Sequence, residues 1–478
     1  MGATVNDPPG GPLADHQPGG PIPERERGGV RVGALGPPDG TSLPGLSLPG
    51  RVREAGPTDA VDGAQPRAVV SPSSTTETAE VLRAAYEGGL RTVVRGGGSK
   101  LGLGNPPAGV DLVLSTERLG RVLEHAAGDL VVRVEAGVRL ADLQAALAPA
   151  GQLLGLDPPE AGATVGGVVA ANASGPRRLR YGTVRDLLIG ITVVLADGTV
   201  AHSGGKVVKN VAGYDLGKLF AGSLGTLGVI VEAIFRLHPA PAATAVATAE
   251  VAAPGQAGSA VRALLASALV PSAIELDWPG PDGPGTLTVL FEGIGPGVDA
   301  QAANTARLLA DAGTPGARVL HDGEPGQGGE AGLGGGADRG GEATRAAAAL
   351  GALPWEAGQL GVKVATGPSG LPGALATVWE VAAAHGLAAR ATAHAGTGVL
   401  RAGLDGGDAT TLAAFVNGAR ERLAPAQAGL VVAEAPLEVK QGVDAWGPVG
   451  DALPLMRKVK QRFDPSGLLS PGRFVGGI

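Results

Sequence analysis

Hydrophobic segments alternate with polar and glycine-rich segments along the first half of the chain, and their lengths predict short strands and helices. We expect ordered structure to begin near Ala68, followed by a helix from Ser74 to Gly88 and a second helix over 140–147. Ser74 and Glu77 have the spacing of a helix capping box. Because strands and short helices alternate irregularly, the pattern favours an α+β fold. Apolar runs predict strands over 90–94, 111–114 and 130–135.

The second half shows a different pattern. After His238 the composition shifts to Ala and Pro, which marks a domain boundary. The segments that follow are typical of an antiparallel sheet with helices on one face. Strands are predicted over 246–252, 273–278, 287–292 and 361–365, and helices over 298–312, 371–386 and 452–463. The last helix carries Arg457, Lys458, Lys460 and Arg462 on its predicted outer surface, as a solvated face or as a docking face for an acidic partner.

These patterns divide the chain into four parts. Residues 1–60 are rich in Pro and Gly and have no hydrophobic period, so we expect a disordered extension. Residues 61–240 form the first domain and 241–435 the second, with a disordered Gly- and Ala-rich insertion over 322–342. Residues 436–478 form a C-terminal segment.

Composition excludes several classes of function. The formal net charge of -7 is spread along 478 residues without a basic block, so nucleic acid is an unexpected partner. The absence of cysteine excludes disulfides, thiolate zinc sites and iron–sulfur clusters ligated by this chain. No apolar run reaches membrane-spanning length, and the N-terminus lacks the apolar core of a signal peptide. We therefore expect a cytoplasmic protein without direct membrane insertion.

Two glycine-rich stretches carry the candidate chemistry. The turn 95–104 can aim several backbone amides at one anion, although a flexible glycine loop has the same composition. It does not match the phosphate-binding loop of nucleotide hydrolases, because no hydroxyl residue follows Lys100. The second stretch, 163–232, places small residues between hydrophobic strands, so backbone must line whatever binds there. Together they predict a site for a large, flat ligand such as a flavin nucleotide.

Three ordered blocks and the tail resemble a known family. Residues 95–104, 163–181 and 213–232 resemble the FAD-binding domain of the vanillyl-alcohol oxidase and p-cresol methylhydroxylase type. The tail 462–474 resembles the C-terminal signature of its D-2-hydroxy-acid dehydrogenase branch, and segments 209–215 and 222–228 look most like the FAD-binding subunits of glycolate oxidases. The resemblance implies a two-subdomain FAD-binding domain, an antiparallel-sheet α+β cap domain, and a C-terminal segment that returns to the first domain. It also implies FAD, which we expect to be non-covalent, a second flavoprotein subunit and an iron–sulfur subunit.

The resemblance assigns cofactor residues position by position. The pyrophosphate would be held by Arg95, Gly96, Gly97, Gly98, Ser99, Lys100 and Leu101 on one side and by Thr164, Gly166 and Gly167 on the other. The ring system and ribityl chain would lie near Asp157, Pro158, Asn172, Gly175, Tyr181 and Gly182. The nucleotide would be approached by Gly225, Gly228, Val229 and Ile230, the last two at its adenine end.

Some of these positions have plainer interpretations. Tyr181 also fits an ordinary half-buried aromatic residue. Arg185 and Asp186 fit a surface pair in a turn over 183–186. Lys206 and Lys209 fit either phosphate binding or an exposed strand end.

The candidate catalytic residues are His394 and Arg401. Catalytic members of the branch carry His-x-Gly-Asp-Gly-Asn-x-His, whereas this chain has Thr397, Val399 and Arg401 in place of the acid, the amide and the second histidine. One histidine is too little for the bivalent metal site of those relatives, so we expect no metal. From the residues alone, His394 fits a hydrogen-bonded structural histidine better than a general base. The residues Glu434, Glu438 and Lys440 form either a second polar cluster or solvated charges.

Three functions remain open. The chain could be the FAD-binding subunit of a glycolate-oxidase-like complex that oxidises a small 2-hydroxy acid and passes electrons to an iron–sulfur partner. It could instead be a stand-alone D-2-hydroxy-acid dehydrogenase of the D-lactate type. The third alternative is a non-catalytic flavin-fold scaffold subunit.

Overall fold

The computed structural model describes residues 48–205, 215–322 and 341–478, which belong to one compact unit. Most of the predicted extension and of the predicted insertion lies outside the described residues, as do Lys206 and Lys209. Within the described residues no helix is long and apolar enough to cross a membrane.

Ordered structure begins earlier than residue 61, so the predicted boundary is wrong for residues 48–60. A strand, Arg51–Glu54, pairs antiparallel with Ala68–Ser71. Val52 is buried in the same cluster as Val70, and Asp59 accepts hydrogen bonds of 2.7 Å from Arg53 and Arg95. The strand has four residues with one buried side chain, which is too short to show a hydrophobic period among Pro and Gly.

The first domain contains two main sheets. Strands β2, β3 and β4 pair in parallel with β1 at the edge, and a five-stranded antiparallel sheet has the order β5-β6-β10-β8-β9. The strands are β1 Arg51–Glu54, β2 Ala68–Ser71, β3 Thr92–Arg95, β4 Leu112–Ser115, β5 Val122–Ala126, β6 Val131–Glu135, β7 Gln152–Leu153, β8 Leu188–Val194, β9 Val200–Gly204, β10 Val229–Arg236 and β11 His238–Pro239. The helices are α1 Thr75–Glu87, α2 Leu140–Leu147, α3 Val165–Ala171, α4 Arg178–Tyr181, α5 Val184–Leu187 and α6 Leu216–Phe220.

Local sequence explains where α1 begins. The Ser74 side chain accepts a hydrogen bond from the Glu77 amide, as the capping spacing predicts. The Glu77 carboxylate accepts a hydrogen bond of 2.7 Å from the Ser73 hydroxyl. A capping box would place this contact at Ser74, one residue later. Both contacts satisfy polar groups at the helix start.

The second domain is an eight-stranded antiparallel sheet with its main helices on one face, as the pattern predicts, and with one short helix, Glu342–Ala348, against the other face at Val246 and Leu290. Its order is β15-β12-β14-β13-β17-β18-β16-β19. Trp278, Phe291 and Phe415 lie in the core between the sheet and its main helices. The strands are β12 Ala243–Val251, β13 Ala273–Trp278, β14 Gly285–Gly293, β15 Arg318–His321, β16 Leu360–Ala365, β17 Ala388–His394, β18 Val399–Asp405 and β19 Gly429–Glu434. The helices are α7 Pro254–Ala266, α8 Gly295–Asp311, α9 Glu342–Ala348, α10 Leu371–Ala384 and α11 Ala409–Leu423.

The opposite face of this sheet carries polar side chains. Residues paired across antiparallel strands project to the same face. Glu275 is paired with His394, and Arg401 is paired with both Thr392 and Lys363. The two-residue period along β17 puts His394 and Thr392 on one face, so Glu275, His394, Arg401 and Lys363 all share it.

The C-terminal segment was expected to return to the first domain, and this is wrong for its beginning: Val439, Val443 and Ala445 are buried in the core of the second domain, whereas the later residues pack against the first domain. It contains helices α12 Leu437–Gly442 and α13 Leu453–Phe463, and Leu469 forms a parallel bridge with Thr92 of β3. Lys460 was expected on the outer surface of the last helix, and this is wrong. Its ammonium points inward and donates to the carbonyls of Thr226 and Leu469 and to Asp464, each within 2.8 Å.

Candidate functional site

A cleft opens between the glycine-rich segments of the first domain. Most of the cofactor residues that were predicted near phosphates lie along its wall: Gly96, Gly97, Gly98, Ser99, Lys100, Leu101, Thr164, Gly166, Gly167, Gly225, Gly228 and Ile230.

The first glycine bend presents unused backbone donors. From Gly96 to Lys100, no amide donates a hydrogen bond to another group within the described residues. Gly98 has φ +80°, a conformation that favours glycine, and the Leu101 amide closes the turn on the Gly98 carbonyl at 3.3 Å. Several free amides in one bend can bind a multiply charged anion such as a pyrophosphate.

The two glycine bends touch each other. A Cβ on Gly96 would lie 2.2 Å from the Thr164 hydroxyl, and a Cβ on Gly97 would lie 2.0 Å from the Gly162 carbonyl oxygen. Both distances are shorter than any van der Waals contact, so the approach requires glycine at these positions. The cleft is therefore narrow enough for backbone on both sides to reach one ligand.

The second bend differs from the expectation that its amides form the other half of the pyrophosphate cradle. The Val165 and Gly166 amides already donate to the carbonyls of Val138 and Ala136 at 2.9 and 2.8 Å. The Gly167 amide is directed at the Thr164 hydroxyl at 3.4 Å, which is a long contact. This side of the cleft consequently offers packing surface more than free donors.

The third glycine segment completes the wall near β10. Gly225 has φ +72°, and a Cβ on Gly228 would lie 2.9 Å from the Val194 carbonyl oxygen. Ile230 lines the cleft, whereas Val229 is fully buried in a separate cluster. The alternation of side chains along β10 explains why only one of these neighbours reaches the cleft.

Two charged residues of the cleft wall, Arg473 and Glu160, were not predicted. Arg473 is 4% exposed, and its guanidinium donates to the carbonyls of Leu101 and Leu103, while its Nε has no partner in the described residues. Glu160 forms an ion pair with Lys100. Arg473 lies in the tail motif that carried the family resemblance, so that motif could have identified it. Nothing in the local sequence marks Glu160.

The remaining predicted cofactor residues lie outside the cleft wall. Arg95 supports the first bend from below through its ion pair with Asp59. Asn172 has φ +46° and ends α3, and its side-chain oxygen is buried without a partner in the described residues. Gly175 packs so tightly that a Cβ would lie 1.8 Å from the Asp157 carbonyl oxygen. Pro158 follows Asp157 in the segment leading to Glu160.

Tyr181 is buried, and its contacts in this structure are with other protein groups. Its side chain packs on Gly155, and its ring lies 4.8 Å from the His238 ring, centroid to centroid, at a tilt of 56°. Gly182 has φ +84° at the start of the next turn. Asp186 caps α5 by accepting hydrogen bonds from the Thr183 amide and hydroxyl, instead of pairing with Arg185.

The polar face of the second domain meets the first domain beside this cleft. Arg177, just before α4, pairs with Glu292 of β14 at 2.7 Å, and its guanidinium also lies 3.7 Å from Asp157. Burial raises the pKa of Asp157 to about 6, against the lowering effect of Arg177. These contacts hold the sheet of the second domain against the segment of the first domain that runs from Asp157 to Glu160 on the cleft wall.

His394 and Glu275 form a buried pair on this face. The His394 Nδ1 lies 2.8 Å from one carboxylate oxygen of Glu275 and 3.0 Å from the other. Both side chains are less than 10% exposed. Burial raises the pKa of Glu275 well above its ordinary value and lowers the pKa of His394. The His394 Nε2 is buried and has no partner in the described residues.

Three cationic side chains surround this pair. Arg401 is buried, and within the described residues it donates only to the carbonyls of Gly351 and Ser174, at 3.2 and 3.3 Å. Neither Arg178 nor Lys363 forms an ion pair with a carboxylate in the described parts of the chain. Lys363 is in contact with solvent, yet the surrounding protein lowers its pKa to about 8, with a further lowering by the charges of Arg178 and Arg401.

Excess positive charge in a confined site is relieved by an anionic ligand. Sequence reasoning found His394 and Arg401 but missed Lys363, Arg178 and Glu275. These residues come together through strand register and a domain contact, and no local motif marks them.

The second polar cluster has a structural role. Lys440 is buried, pairs with Asp62 at 2.9 Å and donates to the Gly102 carbonyl, whereas Glu438 is exposed. Glu434 lies near Gly102, and burial raises its pKa. These contacts attach α12 to the first glycine bend. In the described residues no group of three or more histidine or carboxylate side chains is arranged to hold a metal ion.

Family comparisons agree with this geometry. Residues 66–204 match the model described as FAD binding domain, and residues 445–474 match the model described as FAD linked oxidases, C-terminal domain. The chain is 37% identical to glycolate oxidase subunit GlcD of Bacillus subtilis over 45% of this chain and 46% of that protein. It is 40% identical to glycolate oxidase subunit GlcE of Escherichia coli over 32% of this chain and 43% of that protein.

Another relative is the D-lactate dehydrogenase of Archaeoglobus fulgidus, at 41% identity over 40% of this chain and 42% of that protein. The chain thus spans less than half the length of these relatives. Among solved structures, p-cresol methylhydroxylase superposes with a TM-score of 0.65 at 18% identity, covering 86% of this chain and 89% of that one. This likeness confirms the predicted fold class. Residues 66–204 therefore carry an FAD-binding domain and residues 445–474 a C-terminal domain of FAD-linked oxidases, in a fold of the p-cresol methylhydroxylase type.

Proposed function

We propose that this protein is an FAD-dependent oxidoreductase that converts a small 2-hydroxy acid to the 2-oxo acid. The observation that carries the proposal is the group of Arg178, Lys363 and Arg401 beside the buried His394. None of these cations forms an ion pair with a carboxylate in the described residues, and they lie next to the cofactor cleft. A substrate with a carboxylate and a neighbouring hydroxyl matches both the charge and the polar group.

The cleft residues fit FAD. The free amides of Gly96 to Lys100 would hold the pyrophosphate, and the contacts at Gly96 and Gly97 leave no room for side chains in the cradle. Charge-assisted hydrogen bonds contribute about 1.5–3 kcal/mol each, so a few of them would anchor the cofactor. When bound, FAD supplies a two-electron acceptor for the oxidation.

The substrate would be oriented by the second domain. Arg401 would exchange its backbone carbonyl partners for the substrate carboxylate, because a guanidinium binds a carboxylate more strongly than two neutral acceptors at 3.2 and 3.3 Å. Lys363 and Arg178 would compensate the remaining negative charge. His394 would take the proton of the substrate hydroxyl.

The electrons would leave through a partner. The sequence has no cysteine, so a cysteine-ligated iron–sulfur cluster would belong to another subunit, beside a second flavoprotein subunit in a glycolate-oxidase-like complex. We propose a cytoplasmic location, with any membrane association through those partners. A stand-alone D-lactate-type dehydrogenase is the second candidate, since His394, Arg401 and Lys363 are all present in this chain.

Anaerobic spectroscopy on the purified chain tests these functions. A yellow protein bleached by glycolate or D-lactate supports the stand-alone dehydrogenase. A yellow protein that is inert alone but bleaches after co-purified partners are added supports the complex. A colourless chain that binds partners would contradict both and leave the scaffold role.

A further inference from the structure

The pair of Glu275 and His394 has a geometry that a merely structural histidine does not need. The two residues are directly opposite on β13 and β17, on the polar face of the sheet. One ring nitrogen contacts both oxygens of a buried carboxylate, and the other nitrogen is buried without a partner in the described residues. A buried polar atom without a partner is unfavourable unless a ligand satisfies it.

We propose that Glu275 is a positioning residue for His394 and the final acceptor of the substrate proton, so that the two residues act as one proton relay. This inference rests on the proposed function. Arg401 and Arg178 favour the ionised form of Glu275 against the larger effect of burial, and above the raised pKa of Glu275 its carboxylate oxygens hold the proton of the ring on Nδ1. The unprotonated Nε2 is then available to the substrate.

The proton balance of the step is complete within the chain. The O–H bond of the substrate breaks and its proton passes to Nε2, while the Nδ1 proton passes to a Glu275 oxygen. The hydrogen on the substrate α-carbon leaves with its electron pair to the two-electron acceptor. His394 is neutral before and after the step, and Glu275 changes from a carboxylate to a carboxylic acid.

Burial favours this route over an imidazolium intermediate. The same burial that raises the pKa of Glu275 lowers the pKa of His394, so a proton on the carboxyl group is preferred to a charged ring. The charges around the pair act in the same direction on His394: Arg401 of β18, Arg178 of α4 and Lys363 of β16 all disfavour an imidazolium. Arg401 and Arg178 lower the pKa of Glu275, and Asp157 raises it.

Glu275→Gln tests the relay by kinetics, because an amide keeps the shape but cannot take the proton. The wild-type rate should rise with pH as the pair loses its shared proton. This rising limb of the pH–rate profile should lie at a pH above the ordinary range of a glutamate. In Glu275→Gln the limb should move to lower pH, and kcat should fall by about 100-fold with KM changed less than about threefold. The control is Glu135→Gln, which removes a buried carboxylate paired with Arg121 in the first domain and should leave the pH limb in place.

Nuclear magnetic resonance of protein labelled with 15N at its histidines tests the relay without turnover. The His394 signals, assigned with His394→Gln, should switch from one neutral tautomer to the other as the pair titrates. An imidazolium in the wild type, or an unchanged pH limb in Glu275→Gln, would overturn the relay. Tautomer exchange in a protein that oxidises no 2-hydroxy acid would support the relay and reject the proposed substrate.

Discussion

The cofactor cleft and the polar sheet face are built in opposite ways. The cleft is lined by backbone, because Gly96, Gly97 and Gly228 stand where any side chain would collide with a neighbour. The sheet face is lined by charged side chains that come from separate strands and lie far apart in sequence. A backbone site tolerates no added atom, whereas a side-chain site depends on the charge and reach of a few groups. Substitutions in the two regions should therefore fail in different ways.

Gly97→Ala should produce the largest effect, and it should act on cofactor binding. The new Cβ would lie 2.0 Å from the Gly162 carbonyl oxygen, so the bend must move and its amides lose their common direction. The loss of two hydrogen bonds to phosphate at about 1.5–3 kcal/mol each lowers FAD affinity by about 1,000-fold. Flavin absorbance after gel filtration measures this.

Gly128→Ala is the matched control, because a Cβ there meets no atom within 4 Å. It should retain flavin at the wild-type level. Full flavin content in Gly97→Ala would show that the two bends do not clasp the cofactor together.

Arg401→Met should leave the cofactor in place and weaken substrate binding. The substitution keeps most of the buried volume but removes the guanidinium that would hold the substrate carboxylate. We expect KM for a 2-hydroxy acid to rise by about 100-fold, the loss of one buried charge-assisted contact. Steady-state kinetics with normal flavin absorbance would separate this effect from that of Gly97→Ala. An unchanged KM would place the carboxylate elsewhere.

Lys363 should give the smallest and most specific effect, a dependence on pH. Its pKa is lowered to about 8, so the ammonium is charged below that pH and neutral above it. Affinity for an anionic ligand such as oxalate should therefore fall by about tenfold as pH rises through 8. Lys363→Arg stays charged and should lose this dependence, as titration calorimetry at several pH values would reveal. The same dependence in Lys363→Arg would assign it to another group.

The sequence predicts the backbone site better than the side-chain site, for a physical reason. A glycine bend after a strand is a local feature, so residues 95–104 and 163–167 could be assigned to a ligand before any fold was known. The sequence overestimates the number of free amides in the second bend. The Val165 and Gly166 amides already donate to the carbonyls of Val138 and Ala136, which lie in a neighbouring segment. That pairing is tertiary and leaves no local mark.

The fold shows the same limit. The antiparallel sheet of the second domain follows from alternating apolar residues, whereas β1 has too few residues to show a period. The position of Glu275 opposite His394 depends on strand order, since β13 and β17 are neighbours although three other strands separate them in sequence. Register across such a pair is set by the assembled core and cannot be inferred from either strand alone.

Arg473 has a consequence for biosynthesis. Its guanidinium closes on the carbonyls of Leu101 and Leu103, and the neighbouring Leu469 extends the sheet beside Thr92, so the FAD cleft gains one wall from residues translated more than 350 positions after its first bend. We therefore expect the flavin to bind only after the ribosome has released this segment. A chain stopped at residue 460 should fold its second domain and remain colourless, and flavin retained by that truncated chain would refute this expectation.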